Sequence, residues 1–137
     1  MNAPASTKTE LLRTDYLTLT EDGERITLAW HREEPNDDHS VATAEVVKRH
    51  LDAFVAAHPG EKRKMLVDLL CVKKTFPRGT AAYTGWLIAH RAQIRGGAFV
   101  SKSLLLRAGV SAALLVPGLT MKGFSDLGEA NAFLAKC

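Results

Sequence analysis

The chain has 137 residues, 46% of them hydrophobic and 24% charged, with a formal net charge of +3 at pH 7. That length and balance suit one soluble globular domain built round a single core, and so small a positive charge is no nucleic-acid footprint. The two cysteines, Cys71 and Cys137, exclude a disulfide framework and paired metal-ligand spacing. The opening MNAPASTKTE lacks the apolar centre of a secretory signal. The longest apolar run, LLLRAGVSAALLV at 104–116, is short for a membrane span and carries Arg107, so it predicts a buried helix. A reduced, cytoplasmic chain is the expectation.

Residues 1–13 read as a flexible polar lead, leaving 14–137 as a single domain. YLTLT at 16–20 and RITLAW at 25–30 alternate apolar and polar residues, and Asp22-Gly23 between them suits the left-handed turn of a hairpin. REEPNDDH at 32–39 is a loop rich in helix breakers. From Ser40, a candidate N-cap, helical spacing puts Ala44, Val47, Leu51, Phe54 and Val55 on one stripe, and Gly60 ends the element. KMLVDLL at 64–70 is apolar without alternation, as in a strand covered on both faces. The basic run Lys62-Arg63-Lys64 before it reads as a solvated turn.

A second helix is predicted over about 79–94, with Ala82, Tyr83, Trp86, Leu87, His90 and Ile94 inward, and GGAFV at 96–100 reads as a short buried strand. Ser103 can cap a third helix over 104–116, which Pro117-Gly118 stops. TMKGF at 120–124 is the last strand. Asp126 with Glu129 forms a capping box for a final helix whose stripe is Leu127, Ala130, Phe133 and Leu134. The order β-β-α-β-α-β-α-β-α predicts an α/β fold, with a mainly parallel sheet, right-handed crossovers and an N-terminal antiparallel hairpin.

In such sheets ligands and partners favour the carboxyl ends of the parallel strands, which here are 70–79 and 101–103. Asp68 is read as anchoring its loop through backbone N–H groups in preference to acting as a base. Cys71 lies near Lys73 and Lys74, but no histidine or carboxylate can be assigned to activate it, so an inert, partly buried thiol is expected. His31, His39, His50, His58 and His90 match no zinc signature. Ser101, Lys102 and Ser103 precede a helix and are a candidate anion or partner contact, although ordinary capping by Ser103 explains them without a ligand and is the favoured reading. There is no Walker loop or GxGxxG. No catalytic residue, metal or cofactor is expected.

MLVDLLCV and RGTAAYTGWLI, then GGAFVSKSLLLRAGVSAALL and FSDLGEANAFL, resemble in order and spacing the STAS superfamily, and more narrowly its short SpoIIAA-like bacterial members. The resemblance covers nearly all of 15–136. It implies a β-α superhelix without cofactor or catalysis, which docks a protein partner, a regulator or kinase, through the loop after the third predicted strand and the start of the second helix. Carried onto this chain, that surface holds Cys71, Lys73, Lys74, Thr75, Arg78 and Thr80. Signalling members carry a phosphorylatable Ser or Thr after an Asp there. This chain has Pro77-Arg78-Gly79 instead, with Thr75 and Thr80 flanking it as the phospho-switch candidates. The alternative is a domain that binds a small apolar or anionic, lipid-like ligand, with the third helix as a wall. Neither nucleic acid nor stable membrane insertion is expected. A homodimer is compatible with the apolar helix faces and sheet edges.

Overall fold

The computed structural model describes residues 8–137. Among them six strands, β1 (Thr9–Arg13), β2 (Leu17–Glu21), β3 (Arg25–Trp30), β4 (Arg63–Asp68), β5 (Ile94–Val100) and β6 (Met121–Phe124), lie side by side in chain order in one sheet. Four helices are interleaved with them: α1 (Asp37–Ala57), α2 (Pro77–Ala89), α3 (Leu104–Ala113) and α4 (Leu127–Ala135). β1, β2 and β3 pair antiparallel, and β3 through β6 pair parallel.

The alternation in β2 and β3 puts Leu17, Leu19, Ile26, Leu28 and Trp30 inward, all buried. Gly23, at φ +90°, closes the turn between these strands in a conformation a side chain would disfavour, and Asp22 Oδ1 accepts from the amides of Glu24 and Arg25. β4 and β5 bury both faces. Met65 and Phe99 face the main core with Val47, Leu51, Trp86 and Leu106, while Leu66, Ala98 and Val100 face Ala130 and Leu134 of α4. The physical reason is the strand order. Each right-handed crossover steps the same way along the sheet, which places α1, α2 and α3 on one face. α4 follows β6 and covers the other face, against β4, β5 and β6.

Several elements depart from the sequence expectation. Residues 9–13 form β1, not a loose lead, because Leu11 and Leu12 reach the main core beside β2; the rest of the predicted lead, 1–7, lies outside the described residues. α1 starts at Asp37 with Asn36 as N-cap, whose side chain accepts from His39 N at 2.8 Å; Ser40 is buried inside the first turn. α2 stops at Ala89, a 3₁₀ turn covers Arg91–Gln93, and Ile94 opens β5 as a buried residue. Arg63 and Lys64 are not a solvated turn. They begin β4 and are buried, with Arg63 3.0 Å from Glu61 and Lys64 3.0 Å from Glu24.

α3 differs most. It ends at Ala113 and buries only Leu106 within the helix, while Leu104, Leu105 and Leu115 are 71%, 83% and 86% exposed. The helix lies along the β6 side of the main face, beyond α2, so its inner side alone is covered.

The starts of α1 and α2 meet at Gly79. A Cβ there would collide with Ser40 Oγ and lie 2.8 Å from Ser40 Cβ. Gly79→Ala is expected to lower stability by about 1–3 kcal/mol in urea denaturation. Adding Ser40→Gly in the same chain removes the obstruction and should recover most of that loss.

Candidate functional site

Two connections meet at the carboxyl ends of the adjacent parallel strands β3 and β4. The first, between β3 and α1, carries Glu33 and Glu34 and leads into Asp37 and Asp38; the second runs from Leu69 to Phe76. β4 ends in a turn that Asp68 Oδ1 holds by accepting from Leu70 N at 3.0 Å, while Leu69 N reaches Val100 O on β5 at 2.8 Å. Beyond that turn, Glu33 Oε1 accepts from Lys73 N at 2.5 Å and Lys74 N at 2.8 Å. These two amide bonds, foremost that of Lys73, hold the Glu33 carboxyl below its ordinary value.

α2 begins with Phe76 at the N-cap, which has no side-chain acceptor, and Pro77 follows it. Its free N–H groups need an acceptor from elsewhere. Asp37, in the first turn of α1, supplies it: Oδ1 accepts from Gly79 N at 3.2 Å and Oδ2 from Arg78 N at 3.4 Å. Arg78 Nε donates to Asp37 Oδ2 at 3.1 Å, and its Nη2 pairs with Asp38. Burial works to raise the Asp37 carboxyl, but the Gly79 amide and then Arg78 outweigh it, and the group sits below its ordinary value.

This arrangement sorts the predicted docking residues. Lys73, Lys74 and Thr75 are exposed, and so is Cys71, which is not partly buried as expected. The turn held by Asp68 carries its side chain outward. Arg78 is engaged by Asp37 and Asp38, and Thr80 is half-buried in the first turn of α2. Of the second group, Ser101 is fully buried: its Oγ accepts from Ser103 N, and its carbonyl accepts from Arg107 Nη1 at 2.6 Å. Ser103 caps α3 by accepting from Leu106 N at 3.1 Å, which leaves Lys102 as the exposed member of the three. His50, His58 and His90 each bond through Nδ1 to the carbonyl four residues back. Among the described residues no three metal-ligating side chains converge.

Beneath the two connections lies a cavity of about 90 Å³. Leu28, Met65 and Phe99 of the sheet wall it, with Leu87 of α2, Leu106 of α3 and Leu114, which caps α3. Its polar lining includes Glu34 and Tyr83, and Lys74, Phe76 and Thr80 bring the 71–80 segment to its wall. Glu34 is 3% exposed; Oε1 lies 3.1 Å from His39 Nδ1, and Oε2 accepts a long 3.3 Å bond from Trp30 Nε1. The Tyr83 ring stands edge-on to Trp30, with centroids 5.3 Å apart, and its buried hydroxyl has no hydrogen-bond partner. Burial, and then the charge of Glu34, push the Tyr83 phenol up.

Neither Glu34 nor Tyr83 is singled out by sequence. Glu34 sits in a breaker-rich loop that looks solvated, and Tyr83 falls on the predicted core stripe of its helix. The available signal is the phenol itself, since a buried tyrosine hydroxyl ordinarily finds a partner. No protein-family model, curated protein or solved structure matches the chain.

Glu33 and Asp37 have lowered values in the folded chain, so their stabilisation is complete above their ordinary values of 4.5 and 3.8 and is lost as pH falls through the lowered ones. Glu33→Gln and Asp37→Asn should each flatten the acid side of a melting-temperature profile against pH. Tyr83→Phe removes a hydroxyl that no protein group bonds, so urea denaturation should show stability unchanged or raised, by up to about 1 kcal/mol.

Proposed function

We propose that this chain is a non-enzymatic small-molecule-binding module whose site is the cavity under the 71–80 segment. The observation that carries this reading is the union of a mostly apolar cavity with a buried carboxylate and an unpartnered buried hydroxyl in its lining. Apolar walls with a few placed polar groups are the usual make-up of a ligand site. Buried polar groups left without good partners carry a free-energy cost that a ligand can relieve. The STAS-like resemblance supports a module without catalysis.

A second reading, a regulatory module of the anti-anti-sigma type that docks a protein, is favoured by a separate observation. Glu33 fixes the amides of Lys73 and Lys74 and leaves the side chains of Lys73, Lys74 and Thr75 exposed on a held loop. Such a surface suits an acidic partner, and Thr75 is the accessible candidate for phosphorylation. The readings are compatible, because Lys74 and Phe76 belong to that loop and also line the cavity.

Benzene is the probe for the first reading. Trp30 and Trp86 line the cavity, so saturable quenching or enhancement of tryptophan fluorescence is expected, together with a raised melting temperature. Val110→Phe, which fills the wall contributed by α3, should weaken benzene binding at least about tenfold if the lost space is a buried apolar contact of ordinary size. A flat titration of the parent chain removes the reading. For the second reading, Lys73→Glu with Lys74→Glu should lose a protein that the parent chain captures from its native cells, and retention of every captured protein counts against it.

A further inference from the structure

We infer that the occupant of the cavity is a short amphiphile whose head donates hydrogen bonds, an alcohol or a protonated amine, seated between the Glu34 carboxylate and the Tyr83 hydroxyl. This rests on the reading of the cavity as a ligand site and adds the chemistry of the ligand.

A carboxylate offers about four lone-pair sites. Glu34 is almost wholly buried, yet two donors meet it: His39 Nδ1 on Oε1, and Trp30 Nε1 on Oε2 at a distance long for such a bond. Acceptor capacity is left over in the lining of the cavity, where a ligand's donor can meet it. Tyr83 is the complement. Its hydroxyl can both donate and accept, it is buried, and it does neither. The two residues belong to different elements, and Trp30 touches both, through its indole nitrogen on Glu34 and its ring against Tyr83. A hydroxyl or ammonium head placed within reach of both groups would satisfy them together: it would donate to Glu34, and accept from Tyr83 or donate to the phenol oxygen.

An anionic head is disfavoured, because it would face the Glu34 charge without a buried cation to offset it. His39 is in contact with Glu34 but its side chain is 36% exposed, and Lys74 lines the cavity from an exposed loop. Most of the remaining wall, with Leu28, Met65, Leu87, Phe99 and Leu114, suits an apolar tail, and Ser40, Thr80 and Thr84 are the other polar members of the lining. The volume restricts that tail to a few carbons.

The test compares benzene, butanol, butylamine and butyrate at neutral pH, by calorimetry and tryptophan fluorescence. Butanol and butylamine are expected to bind at least about tenfold more tightly than butyrate, the value of one hydrogen bond to a charged group. Glu34→Gln should abolish the preference for butylamine over butyrate. Tyr83→Phe should weaken butanol several-fold and leave benzene unchanged, and benzene binding by each variant shows that it is folded. Butyrate binding as tightly as the other two, or an unaltered order in both variants, overturns the inference while benzene binding keeps the cavity reading. If benzene and all three amphiphiles fail to bind, both fall.

Discussion

The arrangement of this end of the molecule depends on one carboxylate used twice. Asp37 sits in the first turn of its own helix, where negative charge is favourable. It also accepts from the amides that open α2, a helix whose N-cap, Phe76, has nothing to offer them. Two helix starts are thereby drawn to one point, so close that Gly79 has no room for a methyl group against Ser40. Glu33 extends the same logic, with a side chain from the β3–α1 connection satisfying the amides of Lys73 and Lys74 in the next connection. An acidic segment thus holds a basic one chiefly through backbone N–H groups. The lysine side chains stay free, and only Arg78 gives up its charge to the contact.

The sheet explains why a space exists behind this clamp. Strands in chain order send three helices to one face, and those helices are not equivalent. α1 and α2 pack tightly and are bridged by Trp86 Nε1, which donates to Asp52 at 2.7 Å. α3 meets α2 more lightly and covers the sheet with one side. The cavity lies among all three, walled on the α3 side by Leu106 and Leu114. Leu104 and Leu105 on the outer side of α3, and Leu115 just past its end, are exposed, and among the described residues no element covers them.

What was legible in the sequence follows from the range of the forces involved. The β2–β3 turn could be read because Asp22-Gly23 acts within a few residues, and the two-sided burial of β4 because an unbroken apolar run admits few other places. Asp126 caps α4 through Glu129 N at 3.0 Å, again a local contact. β1 was hidden because two leucines between charged residues carry no period. α3 misled because apolar composition states what a helix tolerates, not how many neighbours the fold gives it. Arg63 and Lys64 looked solvated because Glu21, beside Arg63, and Glu24, the partner of Lys64, become visible only once the strands are paired. The clamp was out of reach for a similar reason. Glu33 meets Lys73, and Asp37 meets Arg78, across about forty residues of chain, and no spacing rule links such groups.

Glu33 and Glu34 bring these strands of argument together. They are consecutive, yet one carboxylate lies at the surface on the loop amides and the other is buried in the cavity lining. One peptide unit separates them. Side chains of consecutive residues thus serve two places, the amides of the exposed loop and the wall of the cavity. The loop's own residues, Lys74 and Phe76, line the same space. The cavity wall and the Lys73-Lys74-Thr75 rim are therefore built from the same two connections, the one between β3 and α1 and the one between β4 and α2.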